Sequence, residues 1–456
     1  MTADNRSDLE QLRNDLVMGG WDVLPRERLA DNPLPANAAY EAIHADLELD
    51  GSARLNLATF VTTSMEPQAK ALMAQCMDKN MVDKDEYPQT ADIEQRCVKI
   101  LADLWHADDP ANPTGCSTVG SSEACMLGGL ALKHRWRARV GDDLTRRPNL
   151  VLGANAQICW DKFCRYFEVE PRLVPLEGDR LHLDAQSALE YVDENTIGVV
   201  AILGSTMDGS YEPVAEIAAA LDKLAAEGGP DIPIHVDAAS GGFVAPFLDP
   251  DLPWDFRLPR VASINASGHK YGLVYPGVGW AIWRDADALP DDLVFHVNYL
   301  GGDMPTFALN FSRPGMEVVG QYFMFTRLGF EGYRAVQQAS RDVAGRIAGK
   351  VGAMPQFRML SNGDELPVVT FTTADDVDGW DVFAVSRGLR ERGWQVPAYT
   401  MPKGREDLAV LRIVCRSGLT TDLADWLLRD LATTVANLEH AAHPGHEISG
   451  PHGFHH

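Results

Sequence analysis

The segment Ser263-Ile-Asn-Ala-Ser-Gly-His-Lys-Tyr-Gly272 sets an imidazole and an amine, His269 and Lys270, side by side after a run of small residues. Held out of water and near other cations, a lysine gives up its proton more readily, and a neutral amine can condense with an aldehyde to a Schiff base. About thirty residues earlier, His235-Val-Asp-Ala-Ala-Ser-Gly-Gly242 drives an apolar run straight into the carboxylate of Asp237. Burying that charge is costly unless a cation meets it. A protonated pyridine nitrogen is such a cation, and the carboxylate would keep that ring an electron sink. A third segment, Gly120-Ser-Ser-Glu-Ala124, opens a helical pattern with two hydroxyls, Ser121 and Ser122. Hydroxyls, free backbone N–H groups and the positive end of the macrodipole suit a phosphate. Taken singly, each segment has a plainer reading: a solvated loop lysine, a strand-end acid capping a helix, and an ordinary N-cap.

Together and in this order, the Asp-Ala-Ala and Ser-Gly-His-Lys segments resemble the group II pyridoxal-phosphate decarboxylases of the aspartate aminotransferase superfamily, fold type I. The sequence is more similar still to one branch, the glutamate decarboxylases of bacteria and plants, and the likeness runs through nearly the whole chain. It is carried by Asn56-Leu-Ala-Thr-Phe60, Asp83-Lys-Asp-Glu-Tyr-Pro-Gln89, Gly120-Ser-Ser-Glu-Ala-Cys-Met-Leu-Gly-Gly129, Trp254-Asp-Phe-Arg-Leu-Pro-Arg260, Phe311-Ser-Arg-Pro314 and Glu391-Arg-Gly-Trp-Gln-Val-Pro397.

The resemblance implies pyridoxal 5'-phosphate as cofactor, no metal, and α-decarboxylation of L-glutamate to 4-aminobutanoate. It makes Lys270 the Schiff-base lysine, pairs Asp237 with the pyridine nitrogen, sets His269 against the cofactor, and packs Ala239 and Gln157 on the ring. Ser121 and Ser122 would hold the phosphate, with Ser267 a further cofactor contact. Thr206 would touch cofactor or substrate carboxylate, and Ser312 would reach a phosphate across a dimer interface. Thr59, Phe60, Asn80 and Asp83 would surround the distal carboxyl, and Arg412 would take the α-carboxylate. A planar guanidinium suits that last role, whereas Asp83 would repel an anionic side chain unless one of the two were protonated. An acidic operating pH relieves the conflict. Without the resemblance, Asn80 and Asp83 read as turn residues beside a helix and Arg412 as a sheet-edge ion-pair partner. One departure stands out: Phe60 is followed by Val-Thr-Thr-Ser-Met65, where several members of the family carry a tryptophan.

The elements that must position these residues follow a strand and helix alternation. Leu150 to Gly153, Thr196 to Leu203, Ile232 to Val236 and Val261 to Ile264 are short apolar runs of the kind buried on both faces. Thr90 is expected to cap a helix whose inner face is Ile93, Cys97, Ile100, Leu101 and Leu104. Ser122 is expected to precede another helix running toward Arg139, and Pro213 to Ala226 reads as a third. This order predicts an α/β fold with a mostly parallel sheet and ligands at the carboxyl ends of the strands; the resemblance implies seven strands in that sheet. After a long helical stretch near Glu331 to Lys350, Leu366 to Thr372 and Leu408 to Val414 read as strands. Helices are expected at Trp380 to Arg392 and Asp422 to Leu438, forming a smaller α+β domain. The expected division is a helical arm over 1–54, a large cofactor domain over 55–340, a small domain over 341–440 and a histidine-rich tail over 441–456. Within the arm, Ser7-Asp-Leu-Glu10 reads as a capping box opening a helix with Leu9, Leu12 and Leu16 on one face.

With a formal charge of −25 over 456 residues, the chain opposes binding to nucleic acid or anionic membranes. Its seven cysteines show neither a CxxC pair nor zinc-type spacing and read as reduced structural thiols. There is no apolar run of the ~20 residues a bilayer span needs, so a cytoplasmic location is expected. The resemblance adds a homodimer or homohexamer with sites at the dimer interface. Decarboxylation consumes a proton, which suits acid tolerance or glutamate catabolism. The tail histidine His455 stands where the family places a residue that closes the site near neutrality, and a plain polar tail is the alternative. Two rival functions remain: a group II decarboxylase of another amino acid, and a non-catalytic homologue.

Overall fold

The computed structural model describes residues 24–141, 143, 145–297 and 304–442. The expected capping box and first helix, and the tail from residue 443 onward with His455, lie outside these residues. The chain divides into two compact units, one up to Asn56 and one from Leu57 onward. The first holds a described helix, Ala36–Leu47, none of whose residues is buried.

In the second unit a seven-stranded sheet is built from β1 (Thr114–Thr118), β2 (Asn149–Gly153), β3 (Glu170–Val174), β4 (Thr196–Ile202), β5 (Ile234–Asp237), β6 (Val261–Ser267) and β7 (Gly279–Trp283). Their spatial order is β1-β7-β6-β5-β4-β2-β3. The neighbours from β3 to β6 pair in parallel, while β7 runs antiparallel to both β6 and β1. Every residue of β2, β4, β5, β6 and β7 is buried. Sheet faces covered on both sides demand such continuous apolar runs. The four runs read from the sequence are β2, β4, β5 and β6, and the mostly parallel α/β sheet is as expected.

Two helix readings are corrected. The helix Pro88–Leu104 begins at its proline, whose fixed φ suits a first turn, so Thr90 lies within it as a buried residue. Its buried face is Glu94, Cys97, Val98, Leu101 and Ala102, whereas Ile100 is exposed. Positions three and four apart share a face, and Val98 holds the register that Ile100 was expected to hold. The second helix spans Ser121–Val140 with Gly120 at its N-cap, so Ser122 sits inside its first turn.

Further along, β8 (Phe295–Val297) pairs with β9 (Met304–Thr306). The long helix Met316–Gly352 is interrupted at Gly329, whose φ of 57° only glycine adopts cheaply. An antiparallel sheet follows, made of β10 (Phe357–Asn362), β11 (Val368–Thr373), β12 (Ala398–Thr400) and β13 (Ala409–Val414) in the order β10-β11-β13-β12. The helices Val382–Glu391 and Thr421–Ala442 accompany it. Leu366, Val368 and Val414 join the same core as Val199, Val236 and Ile264 of the parallel strands. Among the described residues no helix is long and apolar enough to cross a membrane.

Candidate active site

At the carboxyl ends of β4, β5 and β6 lies a cavity of about 500 Å³. Its walls include Ser121, Ser122, Gln157, Thr206, Asp237, Ala239, Ser267, His269 and Lys270, with Thr59, Phe60 and Arg412. Two larger cavities, of about 660 and 700 Å³, carry none of these residues. Convergent chemistry, not size, therefore marks the site.

Asp237 ends β5 and is buried. Its Oδ2 accepts from Trp160 Nε1 at 2.8 Å, and its Oδ1 accepts from Asn265 Nδ2 and Ala239 N, each at 3.1 Å. Cys125 Sγ stands 3.6 Å from Oδ2 as a fourth partner, and all four are donors, which suits an acceptor-only carboxylate. Asn265 is oriented in turn by His235, whose Nε2 stands 2.8 Å from Asn265 Oδ1 and whose Nδ1 stands 2.7 Å from Ser263 Oγ. Burial holds the His235 pKa down. A neutral ring has one N–H, and the amide oxygen can only accept, so Nε2 carries that hydrogen and Nδ1 accepts from Ser263.

Lys270 follows β6. Its pKa is lowered by burial, against the pull of the Asp237 carboxylate, so the charge on its amine is easily lost. Nζ stands 3.4 Å from Ser240 Oγ and 5.5 Å from the centre of the Phe60 ring. Thr62 fastens the backbone here, donating from N to His269 O at 2.8 Å and from Oγ1 to Lys270 O at 2.7 Å. The beginning of the unusual Val61 to Met65 stretch thus clamps the lysine loop. Burial, followed by the neighbouring Lys270, pushes the His269 pKa down to about 4. Its Nδ1 is buried and has no hydrogen-bond partner.

The first turn of Ser121–Val140 has no side-chain cap. Ser121 Oγ takes Asn265 Nδ2 at 3.2 Å and pairs with Ser267 Oγ at 2.8 Å. Gly120 has φ 157°, and a Cβ there would stand 3.0 Å from His269 Cε1. An uncapped helix end beside three hydroxyls, a buried carboxylate, a buried amine and an orphaned imidazole nitrogen together fit a phosphorylated pyridine aldehyde.

Arg412 lies on β13, an inner strand, so the sheet-edge reading does not hold. It donates from Nη1 to Thr206 O and from Nη2 to Ala58 O at 2.8 Å. Its guanidinium carbon is 4.9 Å from the centre of the Phe60 ring, and Nε is buried without a hydrogen-bond partner. Gln157 caps the helix Ile158–Tyr166, its side chain accepting from Cys159 N at 2.9 Å.

Three expected residues do not line this cavity. Asn80 donates to Ser312 Oγ at 3.3 Å and accepts from Arg313 N at 3.0 Å. Asp83 lies in the turn before Pro88, its N–H bonded to Asn80 O. Within one chain they form a separate cluster, with Ser312 exposed.

The sequence reading missed Trp160, Asn265, His235, Ser240 and Thr62. A signal existed for Asn265: Ser263, Asn265 and Ser267 alternate along β6, so polar groups share one face of a buried strand. Trp160 carried no such signal.

Residues 31–374 match the family described as the pyridoxal-dependent decarboxylase conserved domain. The chain is 52% identical over 416 residues to a glutamate decarboxylase of Aliivibrio fischeri, covering 90% of this chain and 89% of that one. It is 49% identical over 422 residues to glutamate decarboxylase 5 of Arabidopsis thaliana, covering 91% and 85%. Among solved structures, a glutamate decarboxylase of Lactobacillus brevis superposes with a TM-score of 0.88 at 46% identity, covering 91% of this chain and 96% of that one. A sphingosine-1-phosphate lyase of Burkholderia pseudomallei superposes at 0.77 with 24% identity over 91% and 94%, a likeness of fold alone.

Proposed function

The chain belongs to the pyridoxal-dependent decarboxylases, in their glutamate decarboxylase branch, and from that premise we infer that its cavity removes the α-carboxyl of L-glutamate as CO2 and leaves 4-aminobutanoate. The observation that carries this reading is the meeting of Lys270, Asp237 and Arg412 in one cavity. Bound pyridoxal phosphate supplies an electron-poor ring able to accept the electron pair left by a departing carboxyl. Ser121, Ser122 and Ser267 would hold its phosphate, Lys270 would anchor it, and Asp237 would keep a proton on its ring nitrogen. His269, Ala239 and Gln157 would flank the ring.

The remaining steps belong to the protein's own groups. Arg412, which lines the cavity and whose Nε has no hydrogen-bond partner, would take the substrate α-carboxylate, while Phe60 backs the guanidinium. Holding that carboxylate in a fixed direction selects which bond to the α-carbon breaks. Thr59, Phe60 and Thr206 line the space beside it. Lys270, its charge weakened by burial, is placed to pass a proton from Nζ to the decarboxylated carbon. One proton is consumed per turnover, which suits acid tolerance.

Asn80, Asp83 and Ser312 fit this reading as groups offered to a neighbouring subunit, since they stand outside their own chain's cavity. Assembly as a homodimer or homohexamer, a cytoplasmic location, and the division at 54, 340 and 440 complete the proposal. His455 would close the site toward neutral pH, and removing residues 450–456 should then extend activity upward in pH.

The direct test is to incubate the purified chain with cofactor and L-glutamate at mildly acidic pH and assay 4-aminobutanoate. Aromatic and other amino acids run in parallel decide the rival substrate. No product from any of them would leave only the non-catalytic reading.

A further inference from the structure

Cys125 and Cys159 belong to different helices, yet both line the cofactor cavity next to Asp237. Their two Sγ atoms and one Asp237 oxygen all lie within 4.8 Å of one another. The distance from Cys125 Sγ to Asp237 Oδ2 is 3.6 Å. A tetrahedral divalent ion with metal–sulfur bonds of about 2.3 Å and metal–oxygen bonds of about 2.1 Å has a sulfur–oxygen edge of about 3.6 Å. The corresponding sulfur–sulfur edge is about 3.8 Å, inside the observed limit. Two thiolates and a carboxylate form a donor set that favours zinc over magnesium or calcium. The carboxylate is already aimed by Trp160 and Asn265, the kind of outer partners that orient metal ligands.

We propose that in the cofactor-free chain Cys125, Cys159 and Asp237 bind one thiophilic divalent ion, such as Zn2+, and that ion and cofactor exclude each other because both use Asp237. Binding breaks two S–H bonds, forms two sulfur–metal bonds and one oxygen–metal bond, and releases two protons to solvent; nothing is oxidised or reduced. The exclusion rests on the reading of Asp237 as the cofactor's partner, whereas the metal site does not. Spacing in the sequence hid this set, because its members come from three elements brought together only by the fold.

The experiment strips the full-length chain of cofactor, without air and under a phosphine reductant, and titrates it with Co2+, whose charge-transfer absorbance reports thiolate ligands. One equivalent should saturate the band, and added Zn2+ should bleach it. Pyridoxal phosphate should release the cobalt as its own bound absorbance grows. Cys125→Ser and Cys159→Ser should each lose the band while still taking up cofactor. Should either variant fail to fold, the unaltered chain preloaded with cofactor decides the exclusion, since it should show no band. Absence of a thiolate band in the stripped chain overturns the metal site, and a band that persists with cofactor bound overturns the exclusion. A stripped chain that shows the cobalt band but never takes up cofactor would support the site and sink the functional reading instead.

Discussion

The indole nitrogen of Trp160 is bonded to Asp237 Oδ2 at 2.8 Å, fixing one oxygen of the buried carboxylate while Asn265 and Ala239 fix the other. Trp160→Phe keeps an aromatic ring and removes the donor. A hydrogen bond to a charged group contributes about 1.5–3 kcal/mol, and roughly 1.4 kcal/mol is tenfold in affinity. Cofactor affinity, followed by titrating its absorbance into the stripped chain, should fall by about ten- to a hundredfold. An unchanged affinity would show that the indole does not hold the carboxylate in place.

Lys270→Ala should abolish 4-aminobutanoate formation. Because Ser121, Ser267 and Asp237 remain, the variant should still bind pyridoxal phosphate, now without a covalent link. Borohydride treatment followed by intact-mass measurement separates the cases: the parent chain should gain the cofactor's mass and the variant should not. A variant that retains turnover refutes the assignment of Lys270.

How far these residues could be read without coordinates depended on where they sit. Lys270, Asp237 and Ser121 stand at the ends of buried strands or the start of a helix, where polarity interrupts an apolar run, and that interruption is visible in sequence. The strands β2, β4, β5 and β6 were legible because each contains or adjoins a short run dominated by apolar residues, although β6 also carries Ser263, Asn265 and Ser267. β3 was not, because Glu170-Pro-Arg-Leu-Val carries a proline and two charges, which only an edge strand tolerates. β1, Thr-Gly-Cys-Ser-Thr, has small polar residues that no periodicity marks. Trp160 and Thr62 act through contacts spanning 77 and 208 residues, and no local pattern encodes such contacts.

Gly128→Ala is expected to destabilise the fold although alanine favours a helix over glycine by about 0.8–1.0 kcal/mol. A Cβ at Gly128 would stand 2.4 Å from His235 Cε1. The imidazole cannot swing away without breaking its bonds to Ser263 and Asn265. Overpacking of this kind typically costs about 1–3 kcal/mol, so the clash should outweigh the gain in propensity. Urea denaturation at neutral pH should show a lowered midpoint with unchanged slope, and a raised midpoint would contradict the close approach of helix and strand.

The depressed pKa of His269 sets a pH dependence of stability in the cofactor-free chain. In the folded protein, burial and Lys270 hold this group down to about 4, whereas in the unfolded chain it protonates at its ordinary value of 6.5. Between those values the unfolded state binds more protons, so stability falls as pH falls. The contribution is whole above 6.5, shrinks as pH drops from 6.5, and is lost once pH passes about 4. Its full size is about 3 kcal/mol, and buried His235, shifted in the same direction, adds to it. His269→Phe retains a neutral ring and cannot titrate. Urea midpoints at several pH values between neutrality and the acid limit should therefore converge, the parent chain losing up to about 3 kcal/mol more than the variant. Parallel profiles for the two chains would mean that His269 is protonated in the fold at mildly acidic pH, and its imidazole would then face the phosphate cup as a cation.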